Sequence, residues 1–292
     1  MGENSGIQWT HHTFNPWVGC QRVSPGCEHC YAEAYDKRVG GGVDPETGKK
    51  ALRWGPSAPR VRTSASNWAK PLKWNAAATR VGERHRVFCS SLADVFEARP
   101  ELVEWRADLF RLIERTPSLD WLLLTKRPEN FDLAGRPFGW PPNVWLGVTV
   151  ENQEQANRRI PLLVHQRAAV RFLSCEPLLE QLNLRPWLDE DETGFVHHLD
   201  WVIIGGESGP KARPFHVGWA RDLVAQCRDG GRAEAAPFVK QLGARAIDRQ
   251  WDGTKSAMVD LHLADSHGGD PAEWPADLVV REFPEPNLWR LR

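Results

Sequence analysis

The sequence predicts an α/β fold. Parallel strands joined by helices form a partial or full (β/α) barrel, with a cysteine loop ahead of it and a Trp/Arg-rich insertion following that loop. Two observations carry this. From Arg86 onward, short apolar runs alternate with amphipathic stretches, the pattern of buried parallel strands linked by helical crossovers. Each apolar run also ends in hydroxyl, amide or charged residues, and in parallel α/β folds sites form at the C-terminal ends of the strands.

Taken in order, one strand is expected ahead of Cys20, and Ala32 to Arg38 reads as a short helix. Residues 39–80 are rich in Gly, Pro, Arg, Lys and Trp and read as a loop and extended segment. RVFCSSLADVF is a strand running into a polar loop. Leu102 to Arg115 carries apolar residues at helical spacing. DWLLLTKRP and NVWLGVTVEN are strands, and Gln153 to Ala169 is a helix with a Pro break. VRFLSCEPLL and DWVIIGGESGP are strands, Val217 to Cys227 is a helix, and APFVKQLG is the last candidate strand. The domain reading is a barrel over 1–245 with the insertion at 39–80, then a cap or tail over 246–292.

Composition sets bounds. The 292 residues, 41% hydrophobic and 26% charged, suit a globular chain with a substantial core. A net charge of −1 carries no global signature of nucleic-acid binding, so any such contact has to come from a local patch. No apolar run approaches membrane-spanning length, and the polar MGENSGIQW start is no signal peptide. A cytoplasmic setting with reduced thiols is therefore expected, without a disulfide framework.

The chemistry concentrates first in WTHHTFNPWVGCQRVSPGCEHCYAEAY. Cys20, Cys27 and Cys30 fall within eleven positions, with six residues between the first two and two between the last two. Thiolates this close in sequence suit a soft metal. A structural zinc site is normally closed by four protein ligands, whereas three cysteines on a four-iron cluster leave one iron open. His11, His12 or His29 could instead complete a zinc site. Cys89, Cys175 and Cys227 read as buried small hydrophobes, Cys175 with a second reading as a thiol nucleophile because SCEP ends a strand.

The strand exits supply the remaining candidates. They are Ser90, Ser91 and Asp94; Thr125, Lys126 and Arg127; Thr149, Glu151 and Asn152; Ser174 and Glu176; Gly205, Gly206, Glu207 and Ser208; Lys240 and Gln241. Glu151 and Glu176 suit proton acceptance or substrate anchoring. The two glycines of GGES let backbone approach a ligand, and Glu207 could hold an amine. In the insertion, Arg53, Arg60, Arg62, Lys70 and Lys73 are interleaved with Trp54, Trp68 and Trp74. That mix serves base stacking with phosphate neutralisation, or else packs its tryptophans inward and leaves its charges in water.

WTHHTFNPWVGC, SPGCEHCYA, SSLADVF, LLLTKRP, WLGVTVEN, FLSCEPLL, WVIIGGESGP and PFVKQLG, in this order over about residues 7–245, resemble a family of phage and bacterial three-cysteine proteins related to radical S-adenosylmethionine (SAM) enzymes. The resemblance implies a partial TIM-type barrel, a [4Fe-4S] cluster on Cys20, Cys27 and Cys30, and SAM on the open iron. It also implies reductive cleavage of SAM to a 5′-deoxyadenosyl radical, an electron-donor protein, and a substrate such as a nucleic-acid base or nucleotide. Glu151, Glu176 and Lys126 would serve catalysis. Ser90, Ser91, Asp94, Thr125 and Gly205 to Ser208 would bind the cofactor. The chain departs from the usual radical SAM pattern in the six-residue first spacing, in His29 before the third cysteine, and in a GGE on a late strand, so Ser90, Ser91 or Asp94 could take the methionine-amine role instead. The alternative is a zinc-stabilised or iron–sulfur nucleic-acid-binding protein without SAM cleavage.

Overall fold

The computed structural model describes residues 5–39, 52–136, 139–188, 199–229, 235–251 and 254–288. In chain order the N-terminal elements are strands β1 (His12–Thr13) and β2 (Trp17–Val18), helix α1 (Tyr31–Val39), strand β3 (Val61–Arg62), helices α2 (Ala65–Trp68) and α3 (Lys70–Val81), strand β4 (His85–Cys89), helix α4 (Leu102–Glu114) and strand β5 (Leu119–Thr125). There follow β6 (Val144–Thr149), α5 (Gln153–Val164), β7 (Val170–Cys175), α6 (Arg185–Leu188), β8 (Trp201–Gly205), β9 (Phe215–His216), α7 (Val217–Asp229), β10 (Ala236–Gln241), β11 (Ala246–Trp251) and β12 (Ser256–Asp260).

Seven parallel strands form one sheet in the order β1-β4-β5-β6-β7-β8-β10, a partial TIM-type barrel as the alternating pattern predicted. Every residue of β6, β7 and β8 is buried, which is why these strands read as unbroken apolar runs and not as alternating ones. The register sets Val87 opposite Trp121 and Cys175 opposite Ile204. The strand expected ahead of Cys20 is β1, paired with β4 through His12↔Val87 and Thr13↔Phe88. No helix among the described residues is long and apolar enough to cross a membrane.

The chain forms two compact units. The first runs to Gly147 and adds Arg167–Ala169. Its core includes Phe14, Trp17, Phe96, Leu109 and Trp121, none more than 2% exposed. Trp121 is a wholly buried indole whose Nε1 donates to Thr116 Oγ1 at 3.0 Å, so burying it leaves no polar atom unpaired. Asn143 Nδ2 donates to the carbonyls of Ile113 and Thr116, satisfying the end of α4.

The insertion differs from its extended reading. Residues 40–51 lie outside those described, but 65–81 are helical. Ser64 caps α2 by accepting from Asn67 N, Pro71 stands in the first turn of α3, and Gly82 ends it at φ +71°. Cap, proline and left-handed glycine are helix punctuation, which the Trp/Lys/Arg composition had obscured. Trp74 and Ala78 form the buried face of α3.

The second unit comprises Val148–Gln166 and Val170–Asn287. Here β11 pairs antiparallel with β12 and parallel with β9. Helix α5 begins at the Asn152 cap, retains Pro161, and stops five residues before the expected Ala169. The Arg171 guanidinium donates to the Val164 carbonyl and so takes the acceptor that a further helical turn would use.

Candidate functional site

In the first unit the cysteine loop is built between β2 and α1. Gly19 has φ +119°, and a Cβ there would stand 2.6 Å from the Arg53 carbonyl oxygen, so only glycine fits. Its N–H donates to Leu92 O at 2.9 Å, and Cys20 N donates to Arg53 O at 3.3 Å. Pro25–Cys27 forms a 3₁₀ turn, and Cys30 directly precedes α1, its carbonyl accepting from Ala34 N. Val18, Ala32 and Leu92 make a small apolar cluster against which Cys30 and Trp54 pack.

Cys20, Cys27 and Cys30 are free and half-buried, whereas Cys89, Cys175 and Cys227 are free and fully buried. Burial pushes the Cys227 thiol up to about 12 and that of Cys175 well above its ordinary value. Such burial accords with the reading of Cys175 as a small hydrophobe. Among the described residues, no three His, Cys, Asp or Glu side chains are gathered at metal-binding distance. The three N-terminal thiols are free, and thiolate donors suit a soft metal.

The exits of β4 and β5 meet this loop at Cys20. Arg127 Nη1 lies 3.7 Å from Cys20 Sγ and 2.8 Å from Asp94 Oδ2, and its Nη2 donates to Gln21 O at 2.8 Å. Burial pushes the Cys20 thiol up to about 12; the Arg127 cation pulls against that, while Asp94 and Glu97 push with it. Arg127 itself is held above its ordinary range, desolvation being outweighed by Asp94, Cys20 and Glu97. Asp94 accepts from Thr125 Oγ1 (2.7 Å), Phe96 N (3.0 Å), Lys126 N (3.1 Å) and Arg127, so both oxygens are occupied within the protein. Ser90 Oγ donates to Ala93 O. Ser91 Oγ and Asn15 exchange hydrogen bonds at 3.0 and 3.4 Å, and Tyr31 Oη donates to Ser91 O at 2.9 Å. Arg127 stood among the strand-exit candidates, whereas Asn15 was absent from the sequence-derived site and carried no signal that marked it.

The insertion's arginines are structural here. Arg60 is wholly buried, its Nε and Nη2 donating to Glu97 at 2.7 and 2.6 Å. Arg53 pairs with buried Asp36 at 2.5 Å, and Arg62 pairs with Asp108 at 2.7 Å while its guanidinium carbon sits 4.3 Å from the Trp68 ring centroid. Arg60 thus faces a carboxylate in the interior and is not available to a phosphate, whereas Arg62 stays exposed. His11 and His12 have partners of their own. His12 stacks on Trp74 at 4.4 Å and shares a 3.2 Å hydrogen bond with His85, and His11 Nδ1 accepts from Arg86 N at 2.9 Å.

In the second unit Glu151 is wholly buried and bound by Arg159 Nη1 at 2.8 Å, a donor shared with Thr149 O. Glu176 is half-buried and pairs with Lys240. Gly205 faces Glu176, a Cβ there meeting its Cδ at 3.3 Å. Gly206 meets backbone, though not that of a ligand: a Cβ would overlap Leu242 O and stand 3.0 Å from Gly243 Cα. Glu207 receives Arg213 N at 2.9 Å and Arg213 Nε at 3.0 Å, latching the loop that follows β8, and Ser208 is half-buried in that loop.

No curated protein matches the sequence. Solved structures of spore photoproduct lyase are similar to it. A double variant with bound AdoMet and dinucleoside spore photoproduct aligns at 10% identity and a TM-score of 0.42, over 82% of this chain and 60% of that one, so the chain spans less than two thirds of that protein. A variant with dinucleoside spore photoproduct aligns at 10% identity and 0.43, over 89% and 71%. A family model described as "Protein of unknown function (DUF5131)" matches residues 4–266, and the chain belongs to that family.

Proposed function

We propose that the chain is an iron–sulfur enzyme of the radical SAM type acting on a nucleic-acid base or nucleotide. The observation that carries this is the set of three half-buried free thiols, Cys20, Cys27 and Cys30, ahead of a partial barrel whose β4 and β5 exits converge on Cys20. When bound, a [4Fe-4S] cluster and SAM supply one-electron cleavage to a 5′-deoxyadenosyl radical that abstracts a substrate hydrogen. Cys20, Cys27 and Cys30 hold the cluster. Arg127 offsets the negative charge of the Cys20 thiolate and, through Gln21 O, keeps the loop against the strand exits. Asp94 and Thr125 act by orienting Arg127. Ser91, with Asn15, presents a half-buried hydroxyl for the amino-acid end of SAM, with Ser90 shaping the turn. Lys126 anchors the substrate, and the Glu176–Lys240 pair handles protons or substrate polar groups. Glu151, buried against Arg159, positions the β6 exit, and Gly205 to Ser208 hold the loop after β8. The resemblance to phage and bacterial three-cysteine proteins motivates the nucleotide substrate, and a reducing cytoplasm with an electron-donor protein suits such a cluster.

The test is anaerobic reconstitution with iron and sulfide, followed by SAM and a strong reductant. The expected results are cluster absorbance, formation of 5′-deoxyadenosine, and loss of both in Cys27→Ala. About one zinc and no iron per chain after anaerobic purification would overturn the proposal in favour of a zinc-stabilised protein; a cluster unchanged in Cys27→Ala would overturn the ligand assignment.

A further inference from the structure

Three glycines in the second unit mark places where chain segments cross at backbone contact. Gly206 abuts Leu242 and Gly243; a Cβ on Gly243 would stand 2.7 Å from Glu207 O; a Cβ on Gly268 would stand 2.5 Å from Gly243 O. These crossings pull the loop after β8, the loop after β10 and the 265–269 turn around one cleft of about 540 Å³, lined by Gly209, Pro210, Ala212, Ala244, Arg245, Ser266 and His267. That volume lies within the range of small-ligand sites. The walls are fixed by backbone bonds: Ala244 N to Glu207 O at 2.9 Å, Phe215 N to Arg245 O at 2.8 Å, and Leu242 N to Gly268 O at 2.8 Å.

The polar groups lining the cleft are a guanidinium, a hydroxyl and an imidazole, and no carboxylate is among them. Two acids, Asp265 and Asp260, stand beside these groups. Asp265 accepts from the N–H groups of His267 and Gly269. Asp260 reaches Arg245 only at 4.0 Å, with both side chains more than half exposed, so this pair is weak. Ser266 Oγ lies 3.3 Å from His267 Nδ1, which also faces Asp265 Oδ1 at 3.7 Å. Exposed Lys211 follows Pro210 and adds positive charge at the rim. A donor-rich cleft with a planar guanidinium suits a phosphate group.

We infer that this cleft binds a phosphate of a nucleotide, with Arg245, Ser266 and His267 as its ligands. The choice of a nucleotide rests on the function proposed above; the phosphate chemistry does not. The test uses the full-length chain without SAM or reductant and a short fluorescent oligothymidylate. Arg245→Gln weakens binding about tenfold and lowers the salt-dependence slope by about 0.7, His267→Ala weakens it as well, and Arg245→Lys restores part of the affinity. Inorganic phosphate competes, and an uncharged methylphosphonate strand does not bind. Arg80→Gln, at an exposed position of α3 that is not part of the cleft lining, leaves affinity unchanged. Equal affinity and salt slope in wild type, Arg245→Gln and His267→Ala would overturn the inference, as would equal binding of the methylphosphonate strand. 5′-Deoxyadenosine formation is scored separately. Its loss with the Arg245 effect intact refutes only the radical chemistry, and its presence without the Arg245 effect refutes only the cleft.

Discussion

Arg60 shows how a residue's meaning is set by a partner the sequence does not announce. In the chain it stands among Arg53, Arg62 and three tryptophans, a composition that suits nucleic acid. In the fold it donates to Glu97, thirty-seven positions on, and to the carbonyls of Arg53, Gly55 and Ala58. A buried pair of this kind is weak evidence of stabilisation while both partners are present, but removing one strands the other charge in the interior. Arg60→Ala should therefore cost about 3–5 kcal/mol in chemical denaturation, and Arg60→Ala with Glu97→Leu should recover part of the loss. A cost under about 1 kcal/mol for Arg60→Ala would contradict the assignment. The cysteines were legible for the opposite reason. Their proximity is local, so spacing alone marked them, while Asp94, Arg127 and Glu207 needed the fold to reveal whom they serve.

Among the elements, the strands were legible because burial on both faces leaves a continuous apolar run, and β4 through β8 fall where those runs lie. The helices at 65–81 were not, because Trp, Lys and Arg mask a pattern that Ser64, Pro71 and Gly82 punctuate. Ser64→Ala should lower stability by about 1 kcal/mol, since the hydroxyl accepts from Asn67 N at 3.3 Å. The urea midpoint measures it, and an unchanged midpoint would mean the cap contributes nothing. The glycine at the end of β8 is a harsher test. Gly206→Ala forces a methyl into the Leu242 carbonyl, and a loss of at least about 2 kcal/mol is expected, whereas Gly209→Ala has open space and loses only its favourable φ of +98°.

For the molecule as a whole, acid is the expected weakness. His11 and His12 titrate near 4 in the folded chain, mainly because burial disfavours their charged forms, with Arg86 acting on His11 and His85 on both; Glu83 opposes this at His11. The unfolded chain binds these protons near 6.5, so between about 6.5 and 4 it holds more protons than the folded chain and stability falls as pH falls. The two sites together should remove on the order of 2–4 kcal/mol across that window, less than the full shift because both retain some solvent. Urea unfolding at pH 7 and pH 4.5 measures the loss, and His12→Asn should flatten it. An equally steep loss in that variant would place the acid sensitivity elsewhere.

The cysteine segment is held by partners that lie far downstream. His12 pairs with Val87, Trp17 with Arg62, and Gly19 with Leu92. On a ribosome adding roughly 5–20 residues per second, the thiols emerge several seconds before the chain that anchors them exists. Until the β4 exit has been made, three thiols ride on an unpaired N-terminal segment. The part of the chain easiest to recognise thus cannot be locked in place until Leu92 has been made, and oxidants can reach its thiols before then.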